Sequence, residues 1–114
     1  MEPVTQRKNS EPIRPTLALD QLDPLLQHRS RLGALVLLAG ADALSFSRLK
    51  SLLDETDGNL GAQLRKLEEA GYLAVKKEFI DRKPTSWYSL TAEGRRAIKS
   101  HLAAVEMLLK SAGH

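Results

Sequence analysis

The stretch Thr56-Asp-Gly-Asn-Leu60-Gly-Ala-Gln-Leu64-Arg-Lys-Leu67-Glu-Glu-Ala-Gly71-Tyr-Leu73 decides the fold. Leu60, Leu64 and Leu67 recur at helical spacing and form one apolar stripe. Thr56 stands where a side-chain oxygen can cap the first turn. Gly71 stands where a helix end needs a left-handed residue, and Tyr72 can then pack back on Leu67. Beyond Gly71 the period changes. Leu73 to Ile80 sets Val75 and Phe79 among charges, Asp81-Arg-Lys-Pro84 reads as a turn, and Thr85 to Leu90 brings Trp87, Tyr88 and Leu90. A helix over about 57–70 thus runs into a β-hairpin over about 73–90 whose tip is basic.

Working outward, Asp20 or Asp23 followed by Pro24 suits a helix start, with Leu22, Leu25 and Leu26 forming one turn. Arg29 to Ala39 is strongly apolar, with Leu32, Leu35, Val36 and Ala39 at helical spacing, and Gly40 stops it. Leu44-Ser-Phe46 permits a very short strand. Ser47 can cap a helix that turns Leu49, Leu52 and Leu53 inward and ends near Asp54. On the far side of the hairpin, Thr91 caps a last helix reaching about Ser111, with Ile98, Leu102, Val105 and Leu109 on one strip and Ala104, Met107 and Leu108 beside it. Residues 1–18 carry Pro3, Pro12 and Pro15, few apolar side chains and no period, so they read as a flexible tail. The remainder, 19–111, reads as one domain that is mainly α with a small β-hairpin.

Composition closes several doors. At 114 residues the chain suits one modest core, and with no cysteine it holds no disulfide scaffold, zinc ribbon, iron–sulfur site or thiol nucleophile. His28, His101 and His114 are isolated, Asp54, Glu55 and Asp57 read as a solvated acidic turn, and no glycine-rich phosphate loop follows a strand. The expectation is no catalytic residue, no metal, no cofactor and no enzyme. No apolar run approaches the roughly 18 residues that cross a bilayer, and no signal-peptide order opens the chain, so a cytoplasmic protein without membrane contact is expected. The formal charge is +3, and its position matters more than its size. Residues 71–99 hold seven basic and three acidic side chains, while the rest of the chain has no basic surplus. A cluster within a Debye length, roughly 8–10 Å, sets the local field.

Two short helices around a tight turn, followed by a two-stranded hairpin, form the arrangement of a winged helix–turn–helix. The run Thr56 to Leu73, the hairpin Lys76-Lys-Glu-Phe-Ile-Asp-Arg-Lys-Pro84 and the segment Tyr88-Ser-Leu-Thr-Ala-Glu-Gly94 resemble the winged-helix transcriptional regulators related to the MarR and ArsR families. A small single-domain group within them opens on the pattern matched here by Leu22-Asp-Pro-Leu25. The resemblance covers about residues 20–105. It implies a homodimeric regulator of double-stranded DNA, with the helix at 57–70 in the major groove and the wing at 73–90 on the backbone or in the minor groove.

With Leu60, Leu64 and Leu67 turned inward, Arg65 lies opposite and Asn59, Gln63 and Lys66 form a flank. Amides pair with adenine edges, and Arg or Lys pairs with guanine or phosphate. The DNA-binding candidates on this helix are therefore Asn59, Gln63, Arg65 and Lys66. Relatives commonly carry Ser at the position of Gly61 and a basic residue or His at that of Gln63, so the carry-over is firmest at Asn59 and Lys66. The wing offers Arg82 and Lys83 at its tip and Lys76 and Lys77 nearer its base. Ser47, Arg48 and Thr56, at helix N-termini, can hold phosphates. The last helix, about 91–111, carries more apolar surface than one core needs. As the resemblance implies, a homodimer of first and last helices would cover Leu35, Ile98, Leu102, Val105, Leu108 and Leu109. No effector can be read from the residues. The alternative reading is a winged-helix protein–protein interaction module without specific DNA binding.

Overall fold

The computed structural model describes residues 15–113. In chain order they form α1 (Pro15–Gln21), a 3-10 turn (Pro24–Leu26), α2 (Arg29–Ala39), β1 (Leu44–Ser45), α3 (Phe46–Leu53), α4 (Asp57–Glu69), β2 (Leu73–Ile80), β3 (Lys83–Leu90) and α5 (Ala92–Ser111). The expected architecture is present: mainly helical, with a winged helix–turn–helix at its centre. Helix α1 begins within the segment read as a tail, whose first fourteen residues lie outside the described part. No helix among the described residues is long and apolar enough to cross a membrane.

The helix boundaries follow from side chains that satisfy the free backbone N–H groups of each first turn. Asp23 Oδ1 accepts from Leu25 N at 2.9 Å, Thr56 Oγ1 from Asn59 N at 3.2 Å, and Thr91 Oγ1 from Gly94 N at 2.9 Å. His28, read as an isolated residue, caps α2 by accepting from Ser30 N through Nδ1 at 3.1 Å. The cap of α3 is Ser45, whose Oγ accepts from Arg48 N at 3.1 Å, and not Ser47. The backbone is extended at Ser45 (φ −75°, ψ 159°) and helical from Phe46 onward, so Ser47 already lies inside the first turn. Helix α4 ends as expected: Gly71 sits at φ +86°, its N–H bonds to Glu68 O at 3.0 Å, and Tyr72 N bonds to Leu67 O at 2.9 Å. These two bonds are the Schellman pair.

Two residues form the hairpin turn, where four were expected. Asp81 (φ 52°) and Arg82 (φ 68°) are both left-handed, the pattern of a type I′ turn whose twist matches the flanking strands. The ladder runs from Ile80 opposite Lys83 to Leu73 opposite Leu90, so Lys83 and Pro84 belong to the strand. A proline is tolerated there because Phe79–Pro84 is a non-hydrogen-bonded pair, and the nitrogen of Pro84 points away from β2. On that side β1 pairs with β3 only at Tyr88 and Trp87, which completes a three-stranded antiparallel sheet in the order β1-β3-β2.

The unit Asp23–Lys99 holds a core of Leu26, Ala34, Leu35, Leu38, Leu49, Leu53, Leu60, Leu64, Leu67, Leu73 and Ile98. Each fully buried leucine contributes about 1.5–3 kcal/mol. The stripe of α4 is the expected one. On α3 Leu49 and Leu53 are buried and Phe46 packs against the core partly buried, while Leu52 lies at the edge of that stripe and is exposed. On α2 the buried face is Ala34, Leu35 and Leu38, while Val36 stays exposed. In the other unit, formed by residues up to Leu22 and from Ser100, Ala18, His101 and Ala104 are buried and Leu17, Leu19, Leu102, Val105 and Leu109 are exposed.

Candidate nucleic-acid interface

Helix α4 turns three distinct faces outward from its leucine stripe. On one flank lie Asn59 and Gln63, tied into a continuous chain of hydrogen bonds. Arg31 Nη1 donates to Gln63 Oε1 at 2.5 Å, Gln63 Nε2 to Asn59 Oδ1 at 3.2 Å, and Asn59 Nδ2 to Glu55 Oε1 at 2.7 Å. Both ends of the chain are anchored. Arg31 Nε donates to Leu25 O at 2.6 Å, while the other oxygen of Glu55 accepts from the Ser30 hydroxyl and from Arg29 Nη1, the latter at 2.6 Å. Arg29 Nη2 also holds Leu53 O at 2.7 Å. Hydrogen bonds from Ser30 and Asn59, with the Arg29 charge beside it, hold the Glu55 carboxyl below its ordinary range.

The outermost face carries Ala62 and Lys66, both exposed, with the small Gly58 at its start. Beyond the chain neighbours and the helix's own nearby backbone, nothing lies within 4 Å of where a Cβ would stand at Gly58 or Gly61, so this side of α4 is open as well as low. The third face looks toward the wing. Gly61, Arg65 and Glu68 line a cleft of about 300 Å³ with Phe46, Val75, Lys77, Ser86 and Tyr88. Burial, and then the Glu68 charge, push the Tyr88 phenol up, so it stays a neutral donor.

The wing positions its charge by geometry. Its tip places Arg82 in the second left-handed position of the turn and Lys83 directly after it, both exposed. Alternation along β2 sends Lys77, paired with Ser86, to the cleft face and Lys76, paired with Trp87, to the other. The two lysines do not converge on one site. Ser47 and Arg48 are exposed on α3, and Ser47 borders a hollow with Lys50, Ser51, Asp54, Glu55 and Asp57. Three carboxylates there, one of them bonded to Lys50 Nζ at 2.8 Å, make it a poor seat for phosphate. Thr56 spends its hydroxyl oxygen on the cap of α4.

Among the residues expected to meet a second chain, Leu35 and Ile98 are 0% and 2% exposed and belong to the core of their own unit. They have no surface left to offer a partner. Leu102, Val105 and Leu109 are exposed and Leu108 is half-buried. Sequence reading missed Arg29, Ser30, Arg31 and Glu55. The spacing of four from Asn59 to Gln63 announces a side-chain contact along one helix face, while Glu55 stands just before the Thr56 cap. Nothing local links Gln63 to Arg31, 32 residues away. Among the described residues, no group of three or more His, Asp or Glu side chains is placed to hold a metal ion.

Comparison with known proteins agrees with this geometry. Residues 30–109 match the family model described as a winged helix DNA-binding domain, which is not an enzyme family. An uncharacterized protein of Methanocaldococcus jannaschii is 37% identical over 81 residues, covering 71% of this chain and 88% of that one. Among solved structures, a transcriptional regulator homologue from Pyrococcus horikoshii superposes with a TM-score of 0.79 at 26% identity, covering 86% of this chain and 99% of that chain. MarR superposes with a TM-score of 0.69 at 17% identity, over 85% and 76% of the two chains. The chain belongs to the winged-helix DNA-binding domain family, on the fold it shares with MarR-type transcriptional regulators.

Proposed function

We propose that the chain is a homodimeric transcriptional regulator that acts in the cytoplasm by binding double-stranded DNA in a sequence-specific way. Helix α4 enters the major groove with Asn59, Gln63, Arg65 and Lys66, and the wing lays Arg82 and Lys83 on the backbone or in the minor groove. One observation carries the reading: a small, open helix face with ordered amides on its flank stands beside a hairpin whose tip is basic. Amides and guanidinium groups supply base-edge contacts, and the lysines supply phosphate contacts. Arg48, Lys76, Lys77 and Thr56 serve as secondary backbone contacts, and Ser47 is the weakest of the set. Regulation is then steric, by occupancy of DNA near a promoter.

Exposed Leu17, Leu19, Leu102, Val105 and Leu109 support pairing of two copies through the ends of the domain. A two-fold dimer presents two α4 helices to half-sites about one DNA turn apart. The experiment is fluorescence anisotropy with labelled duplex selected from genomic fragments. Lys66→Ala and Arg82→Ala each weaken binding, by about 1 kcal/mol or more, without changing oligomeric state. Unchanged affinity in both variants would reject this assignment of the interface, and flat, negligible binding to every duplex would favour a protein-interaction module.

A further inference from the structure

Resting on the reading of α4 as the groove-binding helix, we propose that Arg31 and Glu55 are positioning residues that set its sequence preference without touching DNA. The reason is the polarity of the hydrogen-bond chain between them. An amide can present either its oxygen or its NH₂ in a given direction, and the two orientations differ little in shape. Arg31 has donors only, so it fixes the oxygen of Gln63 toward itself at 2.5 Å. The carboxylate of Glu55 has acceptors only, so it fixes the nitrogen of Asn59 toward itself at 2.7 Å. The bond from Gln63 Nε2 to Asn59 Oδ1 is the one arrangement compatible with both ends.

Neither amide can flip without breaking two hydrogen bonds. Each then keeps one N–H and one oxygen lone pair unspent in a fixed orientation, the pair of groups that recognises an adenine edge. Arg31 is itself held by Leu25 O at 2.6 Å, so the orientation of the reading side chains is set from the turn before α2. A free amide would sample both orientations and accept more than one base.

The test is selection from a randomised duplex pool with wild type, Gln63→Ala, Arg31→Met and Arg31→Gln, each checked for unchanged melting temperature. Gln63→Ala marks the base positions that Gln63 reads. At those positions Arg31→Met lowers discrimination by about tenfold while affinity for random duplex is retained. Arg31→Gln, which keeps a polar side chain of helical habit but can itself flip, relaxes the same positions, so the test stands if one variant fails to fold. If both variants keep the wild-type preference at positions that Gln63→Ala relaxes, Arg31 does not position the amides and the proposal is overturned while the DNA reading stands. If wild type enriches no sequence at all, the DNA reading falls and takes this proposal with it.

Discussion

Arg82 is the residue where backbone strain and the proposed DNA contact pull in different directions. A side chain at φ 68° costs roughly 1–2 kcal/mol relative to a relaxed backbone, and glycine adopts that conformation freely. The expectation is that Arg82→Gly raises the melting temperature by a few degrees yet weakens DNA binding and lowers the salt slope by about one. Thermal unfolding and anisotropy on the same preparation check both halves; a variant that melts higher and binds as well as wild type would remove Arg82 from the interface. Gly94 is the opposite case, fixed by packing. A Cβ there would lie 2.1 Å from Tyr72 O, a backbone atom that cannot swing away, so Gly94→Ala should cost about 3 kcal/mol in denaturant unfolding. In the sequence Gly94 stands three residues after the capping Thr91, at a helix start. That position does not show which backbone it meets, because Tyr72 is 22 residues earlier and its approach is set by the Thr91 contacts to Gly71 O and Tyr72 O.

At the scale of elements, the junction of α4 and β2 is tied to the turn before α2 through Tyr72. Its hydroxyl donates to the Asp23 carboxylate; burial first, and that hydrogen bond and charge second, push the phenol up to about 12. An unfolded tyrosine titrates near 10, so the folded state keeps a proton that the unfolded state releases. This contribution is complete below pH 10 and is lost as the pH rises towards 12. Denaturant unfolding from pH 9 to 12 should therefore fall less steeply in Tyr72→Phe than in wild type; parallel profiles would show that the phenol proton is not linked to folding. Much at this scale was legible in advance. Thr56, Gly71 and Thr91 announced their helix ends because capping is local chemistry. The start of α3 was misplaced because two serines, Ser45 and Ser47, both suit a cap, and only the pairing of Ser45 with Trp87 decides where the strand ends. The turn was read too long because Asp-Arg lacks the glycine that usually marks a left-handed pair.

For the whole molecule, the leucine-rich core and the basic wing followed from periodicity and charge placement, whereas two of the residues expected to meet a second chain lie in the core. Leu35 and Ile98 are as apolar as Leu102 and Val105, and composition cannot tell a core leucine from one awaiting a second chain. With the core residues removed, the dimer claim rests on the exposed leucines and valine of α1 and α5. Leu102→Glu should give a monomer of unchanged helicity in sedimentation velocity, and a persistent dimer would place the interface elsewhere. Against that background, one titration bears most directly on the claim of sequence-specific DNA binding: affinity for a selected duplex and for a random duplex, measured from about 50 to 200 mM salt. Binding that weakens steeply with salt on both, by orders of magnitude when six or more phosphates are engaged, and that stays at least about a thousandfold tighter on the selected duplex, is the expected result. Weak binding that ignores both salt and sequence would contradict it.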